Sequence, residues 1–390
     1  MTKLKLSLAA IAILSTSIMA NDIINFDKGY VTGEVSTQYR YNDSDNFNEF
    51  FAGVANVNYK SNQSALLSVG FNFYGVSGFD MISDKDRMPG FLDNGTDFAI
   101  MNEAYIALNK SGSGFKSNLT AGRFHMDEGL INSQEDTNYD YPVPNSFQGI
   151  STEVSVASGI TVSFAWIDKM SGQDNGLDNT DFMSVQDIAQ GYNPAEGMKD
   201  SNGLYFAKLA YAYESLGDIS LEALIVDKYA TTYLQELNVK VMKGLTLSQQ
   251  YINYEAETSN VSADVLGLKA AYEVIKGVDI AFAYNKTNDS YATGFEYGAD
   301  PLYTSMTFVN SYGLTDVDTF KVSSDIETGT TKVTVAYANI SARVADIDAY
   351  EIGASFDYNA DIEVKGIYGY TDNSILDNQN NFRVVATYSF

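Results

Sequence analysis

From Val31 onward the chain alternates apolar and polar residues in segments of about ten, set apart by polar connections. Ile160, Val162, Phe164 and Trp166 alternate with Thr161, Ser163 and Ala165; Val278, Ile280, Phe282 and Tyr284 with Asp279, Ala281, Ala283 and Asn285. Tyr350, Ile352, Ala354, Phe356 and Tyr358 alternate with Glu351, Gly353, Ser355 and Asp357. The last segment sets Phe382, Val384, Ala386, Tyr388 and Phe390 against Arg383, Val385, Thr387 and Ser389. One face is large and greasy, the other small and mostly polar. Two packed sheets would need two apolar faces, whereas a strand between lipid and a watery lumen needs one. The pattern predicts strands at 31–41, 49–59, 63–74, 98–108, 116–124, 147–156, 160–169, 203–213, 219–227, 232–241, 245–254, 264–273, 278–287, 317–324, 331–340, 348–358, 361–371 and 381–390. The fold class expected is all-β: a transmembrane antiparallel β-barrel of about 18 strands.

The connections sort by length. Tight ones read Lys60-Ser-Asn62, Ala157-Ser-Gly159, Ser215-Leu-Gly217, Met242-Lys-Gly244, Ile275-Lys-Gly277 and Asn359-Ala360. Long ones occupy 75–97, 125–146, 170–202 and 288–316, with shorter members at 42–48, 228–231, 255–263, 341–347 and 372–380. Short periplasmic turns and long extracellular loops are the polarity of an outer-membrane barrel. Proline, which cannot donate to a β ladder, supports the map: Pro89, Pro142, Pro144, Pro194 and Pro301 all fall in the four longest connections.

At the amino terminus, Lys3 and Lys5 precede an uncharged run from Leu6 to Ala20. A positive start, a short apolar run and a small residue before Asn21-Asp22 predict a cleaved secretory leader at residues 1–20. Residues 21–390 are expected to form one barrel, with no linker or composition break and no strict repeat beyond the hairpin rhythm. Beyond Ala20 no run is long and apolar enough for a spanning helix, and only helices and closed barrels satisfy every backbone group in lipid.

Composition narrows the function. The 24 basic and 50 acidic residues give a formal charge of −26, which becomes about −28 without Lys3 and Lys5. That balance argues against nucleic acid, whose phosphates need a basic patch. With 28 Tyr and 22 Phe the chain is too aromatic to be a disordered acidic one, and Tyr suits the headgroup zone of a bilayer. Without cysteine there is no disulfide, thiolate metal site or thiol nucleophile.

Three short motifs point further. Met101-Asn-Glu-Ala-Tyr-Ile-Ala-Leu108, Leu119-Thr-Ala-Gly-Arg123 and Pro144-Asn-Ser-Phe-Gln-Gly149 resemble corresponding segments of the OprD-like outer-membrane porins of Gram-negative bacteria. The resemblance implies a passive diffusion channel whose third loop, here 125–146, folds inward and narrows the lumen. It implies acidic loop residues facing a basic ladder on the wall, and terminal aromatics (Tyr388 and Phe390) read by the barrel-assembly machinery. The matching acids are Asp127, Glu128, Glu135, Asp136 and Asp140. By period two, the lumen-facing bases are Arg40, Lys208, Lys269, Lys332, Lys365 and Arg383, with Arg123 at a strand end that Gly122 can kink. The family's ladder is Arg-rich, whereas this set is mainly Lys and scattered, so solute selectivity does not carry over. The acid excess predicts a mild cation preference.

Other chemistry is sparse. Asp174 to Asp181 offers oxygen ligands around a glycine but lacks EF-hand spacing and its terminal Glu; the stretch from Asp84 to Asp97 is similar, so no metal site is assigned. His125 is the sole imidazole, and no Gly-x-Ser-x-Gly elbow accompanies it, so no enzyme and no cofactor are expected. The partners expected are outer-membrane lipid and lipopolysaccharide, the assembly machinery, small hydrophilic solutes and, by family analogy, a homotrimer. The competing reading is a barrel serving as a surface adhesin or receptor through its long loops.

Overall fold

The computed structural model describes residues 29–44, 47–63, 65–78, 97–133, 143–171, 182–185, 201–213, 215–257, 261–288, 301–309, 311, 314–375 and 377–390. The strands are β1 (Tyr30–Ser44), β2 (Phe47–Lys60), β3 (Leu67–Ser77), β4 (Phe98–Gly112), β5 (Phe115–Phe124), β6 (Ser146–Val156) and β7 (Ile160–Ser171). Then come a two-residue β8 (Met183–Ser184), β9 (Leu204–Tyr213), β10 (Gly217–Val226), β11 (Ala230–Met242), β12 (Leu245–Ala256) and β13 (Ser262–Ile275). The series ends with β14 (Val278–Thr287), β15 (Val317–Thr328), β16 (Thr331–Ser341), β17 (Asp346–Asp357), β18 (Ile362–Asn373) and β19 (Gln379–Ser389).

Each strand pairs antiparallel with the next, except that β7 pairs directly with β9 while β8 lies along only the end of β7. β1 pairs with β19 from Glu34↔Ser389 to Asn42↔Asn381, and this closes the sheet. Among the described residues the wall therefore has eighteen strands and no unpaired edge. The leader expected at 1–20 lies outside the described residues.

Period two sorts the faces as the pattern predicts. Phe282, Val335, Ile352, Phe356, Tyr368 and Phe382 are exposed on the outside; Phe282 keeps 52% of its surface open, so no second layer covers it. Near the long-loop end the outer tyrosines are tethered to polar neighbours: Tyr251 donates to Asp264 (2.6 Å), Tyr337 to Asp348 (2.6 Å) and Tyr368 to Asn380 (2.6 Å). An apolar ring below a bound hydroxyl suits the level where hydrocarbon gives way to headgroups.

Two expectations need correction. The third strand begins at Leu67, not residue 63. Ser61 bonds across to Val69, while Asn109 holds the carbonyls of Ala65 and Leu66, so this stretch spends its hydrogen bonds on a loop. Nor is the inner face small and wet throughout. Along β12 the inward residues run Thr246, Ser248 and Gln250, then Ile252 and Tyr254 toward the long-loop end. The last two are buried with Phe206, Leu224, Leu234 and Val265 in the largest apolar cluster. A second cluster joins Ala52, Val54, Tyr74, Val76, Phe98 and Ile100 to Val143 of the third loop. Apolar inner wall is tolerated there because connections fold back and cover it.

Candidate functional site

The third loop leaves β5 at His125 and turns at once into the barrel. Residues 126–133 form a small hairpin: Glu128 N–H donates to Ile131 O (2.9 Å) and Ser133 N–H to Met126 O (2.7 Å). Its tip, Leu130 and Ile131, is fully buried in the largest cluster. A segment between β5 and β6 reaches β9 and β10 only through the interior, and there it is fastened. Glu222 of β10, 1% exposed at its side chain, accepts from the N–H of Gly129 (3.3 Å) and of Leu130 (2.9 Å). Lys208 of β9 bridges Glu222 (3.0 Å) and Glu128 (2.6 Å). Gly129 allows this approach, since a Cβ there would lie 2.6 Å from Leu234 and 2.9 Å from a Glu222 oxygen. Burial raises the Glu128 carboxyl above the ordinary range, outweighing the opposite pull of the Lys208 ammonium.

The root of the loop is tied to β4. A bulge opposite Asn72 and Phe73 turns both Asn102 and Glu103 into buried positions. Asn102 Nδ2 donates to Pro144 O (2.8 Å), which leaves Oδ1 as acceptor, so the proton between it and His125 Nε2 (3.0 Å) belongs to the imidazole. The Ser146 hydroxyl donates to Asn102 O, and Glu103 lies 3.8 Å from His125 Nδ1.

A second connection also enters the barrel. Residues 301–309, between β14 and β15, meet the wall from β12 around to β1. Gln250 donates to Pro301 O, Asn285 accepts from Thr304, and Lys321 donates to Ser305 O. Glu351 of β17 repeats the device of Glu222, accepting from two consecutive amides, Thr307 N–H (3.1 Å) and Phe308 N–H (2.8 Å). Lys269 lies over the Tyr303 ring (5.8 Å). The Phe308 ring fills the space that Gly369 leaves: a Cβ on Gly369 would lie 2.5 Å from it. It also packs against the guanidiniums of Arg40 and Arg383.

Among the expected acids, Asp127 and Glu128 thus lie on the inward hairpin, where Asp127 is bound by Asn132 (2.9 Å). Glu135, Asp136 and Asp140 lie outside the described residues, as do 174–181 and 84–96. Of the expected bases, Lys208 meets Glu128 of the third loop. Arg40, Lys269 and Arg383 meet the other inward segment. Lys332 sits nearer the short-turn end with Asp325 (3.6 Å) and Glu327 (3.9 Å), and Lys365 with Glu363 (2.9 Å). Arg123 stacks on Phe182 (3.9 Å) and donates to Met101 O and Gln148, so wall and loop hold it rather than leaving it to reach across the lumen.

Sequence reasoning missed Glu222, Glu351, Lys321, Gln250, Asn285 and Phe308. A signal was present: inward Leu224 and Val226 beside Glu222 are out of place in a wet lumen. Inward Ala336, Ala338, Ala349 and Gly369 likewise leave room that another segment must fill.

Comparison with known proteins bears on the fold. No protein-family model and no curated protein matches the sequence. Among solved structures, OccK9 (OpdG) of Pseudomonas aeruginosa superposes with a TM-score of 0.76 at 12% identity, over 94% of this chain and 99% of that one. The outer membrane protein OpdK of the same organism gives 0.74 at 12% identity over 94% and 99%. OccAB4 of Acinetobacter baumannii gives 0.68 at 12% identity over 93% and 98%. This chain shares their fold. The closed barrel of about eighteen strands expected from the alternating pattern is the barrel observed.

Proposed function

We propose that the protein is an outer-membrane porin, a water-filled channel through which small hydrophilic solutes and ions diffuse passively. The observation that carries this reading is a closed eighteen-strand wall, greasy outside, whose inner face bears charged and amide side chains and holds two inward segments. Such a wall satisfies all its backbone groups in lipid, and an eighteen-strand cylinder is wide enough that side chains alone do not fill it. Segments folded inward narrow a lumen of that size. The likeness to OpdK supports placement in the outer membrane, reached through the leader at 1–20. The third loop, with Asp127, Glu128 and the acids beyond it, is assigned to the constriction, and the acid excess to a mild cation preference. Tyr388 and Phe390 are assigned to recognition by the assembly machinery, lipopolysaccharide to the surrounding leaflet, and homotrimers to the mature assembly. No catalytic role is assigned to His125, whose imidazole is used in fastening the loop root.

Single-channel recording in a planar bilayer tests the assignment. Stable conductance steps from heat-modifiable, correctly folded protein support it. Folded protein that never conducts overturns it in favour of a surface adhesin or receptor.

A further inference from the structure

The inner wall from β13 around to β1 carries Lys269, Lys321, Arg383 and Arg40. Bare, it would be a basic stripe offering N–H donors to anions. Each of these residues is met by the same nine-residue segment. Lys321 is bound to the Ser305 carbonyl, Lys269 lies against the Tyr303 ring, and the Phe308 ring packs against both guanidiniums. Arg383 is left with 0% of its surface exposed. Glu351 holds the segment by its backbone, and the missing side chain of Gly369 makes room for the ring. An aromatic face stabilises a guanidinium without neutralising it, and it takes the place an anion would need in order to bind. The charges still accessible toward the short-turn end are largely acidic. Glu34, Glu153, Asp218, Glu273 and Asp279 are all exposed at inward positions, beside the inward, exposed Lys116 and Lys240. Glu273 faces Asp279 across one pair of strands, and Asp279 faces Asp325 across the next. Lys332 and Lys365 lie beside Asp325, Glu327 and Glu363. At physiological salt a charge acts over about 8 Å, so what lines the path matters more than the total.

We propose that segment 301–309 is a cover that withholds the wall's basic residues from permeating solutes, that Phe308 is its specificity-determining residue, and that the pore therefore favours cations and amine-bearing solutes over anions. This rests on the pore reading above and reverses the role of a basic ladder. The segment's side chains decide which charges line the path, in addition to the bias that the chain's acid excess supplies.

The test uses the full-length protein in planar bilayers under a potassium chloride gradient, with heat-modifiable gel migration as the check on folding. Wild type is expected to reverse toward the potassium potential. Phe308→Ala uncovers the two guanidiniums and shifts the reversal toward the chloride potential. Adding Arg40→Gln to Phe308→Ala moves it back. Should Phe308→Ala fail to fold, Gly369→Val displaces the same ring from the wall side and is expected to shift the reversal in the same direction. A conducting variant that loses the ring yet reverses like wild type overturns the proposal and leaves the pore standing, as does a wild type that prefers chloride. Folded wild type that gives no conductance removes the pore reading instead.

Discussion

Arg40 and Arg383 stand directly opposite one another across the seam where β1 meets β19, and Phe308 lies 5.7 Å from one guanidinium and 5.4 Å from the other. Like charges facing across a ladder repel, and a cation over an aromatic face recovers ~2 kcal/mol when desolvated. The ring therefore belongs to closure of the barrel as well as to its interior. Phe308→Ala is expected to lower the temperature at which the protein converts to its slow-migrating form on a heat-modifiable gel.

Glu222 holds the third loop through two amides and Lys208. Glu222→Ala leaves those amides without their acceptor and Lys208 with Glu128 alone. Breaking a buried, hydrogen-bonded charge pair costs ~3–5 kcal/mol, more than a hairpin this short is expected to survive in place. The expected outcome is a larger and noisier single-channel conductance with a normally folded wall. An unchanged conductance would show that the loop's apolar tip holds it unaided.

Glu128 predicts a pH effect. Its carboxyl lies above the ordinary glutamate value of ~4.3, because burial disfavours the charged form. For a group raised in this way, the contribution to loop docking is complete below that ordinary value and is lost as pH rises through the folded one. On acidification Glu128 is therefore neutralised before exposed carboxylates are. Cation preference, read from reversal potentials, is expected to begin falling at mildly acid pH in wild type, and Glu128→Gln removes that early step.

Closure of the barrel separates two roles of the last residue. Phe390 N–H and C=O both pair with Gly33 (2.9 Å each), while its ring lies over Gly33 and stacks on Tyr388 (6.1 Å). Phe390→Ala keeps the backbone pair and loses the ring. If the terminal aromatic is an assembly signal, this variant refolds in detergent nearly as well as wild type but accumulates poorly in the outer membrane. Deleting Phe390 is expected to impair both.

Asn102 serves His125 and Pro144 at once, tying the two ends of the third loop to β4. Asn102→Ala leaves a buried carbonyl and an imidazole N–H without their partner, a cost of ~1–3 kcal/mol each. Because the chain has a single histidine, its imidazole resonance can be followed directly. The Nε2-protonated form that the Asn102 carbonyl selects in wild type is expected to give way to a mixture of tautomers.

The wall was legible in the sequence because its period-two pattern is enforced by lipid. Phe282, Ile352 and Phe382 have no alternative to facing out, and one misplaced residue would invert a whole strand. The interior was only partly legible. Period two placed Lys208, Lys269 and Arg383 on the inner face, but which loop each one meets depends on how two connections bend, and alternation carries no information on that. Glu222 and Glu351 went unremarked because a carboxylate that accepts from backbone amides needs no charged partner nearby in sequence. The inner apolar patch around Phe206 and Leu224 contradicted the expectation of a wet lumen for the same reason: its cover, Leu130 and Ile131, arrives from more than seventy residues away in the chain.

Both inward segments are gripped by their main chain, at Gly129–Leu130 by Glu222 and at Thr307–Phe308 by Glu351. A clasp of that kind is indifferent to the chemistry of most side chains it carries. Residues facing the passage are thus free to diverge while their mounting stays rigid, so descendants of this barrel could acquire new cargo by exchanging a few ornaments on an unchanged frame.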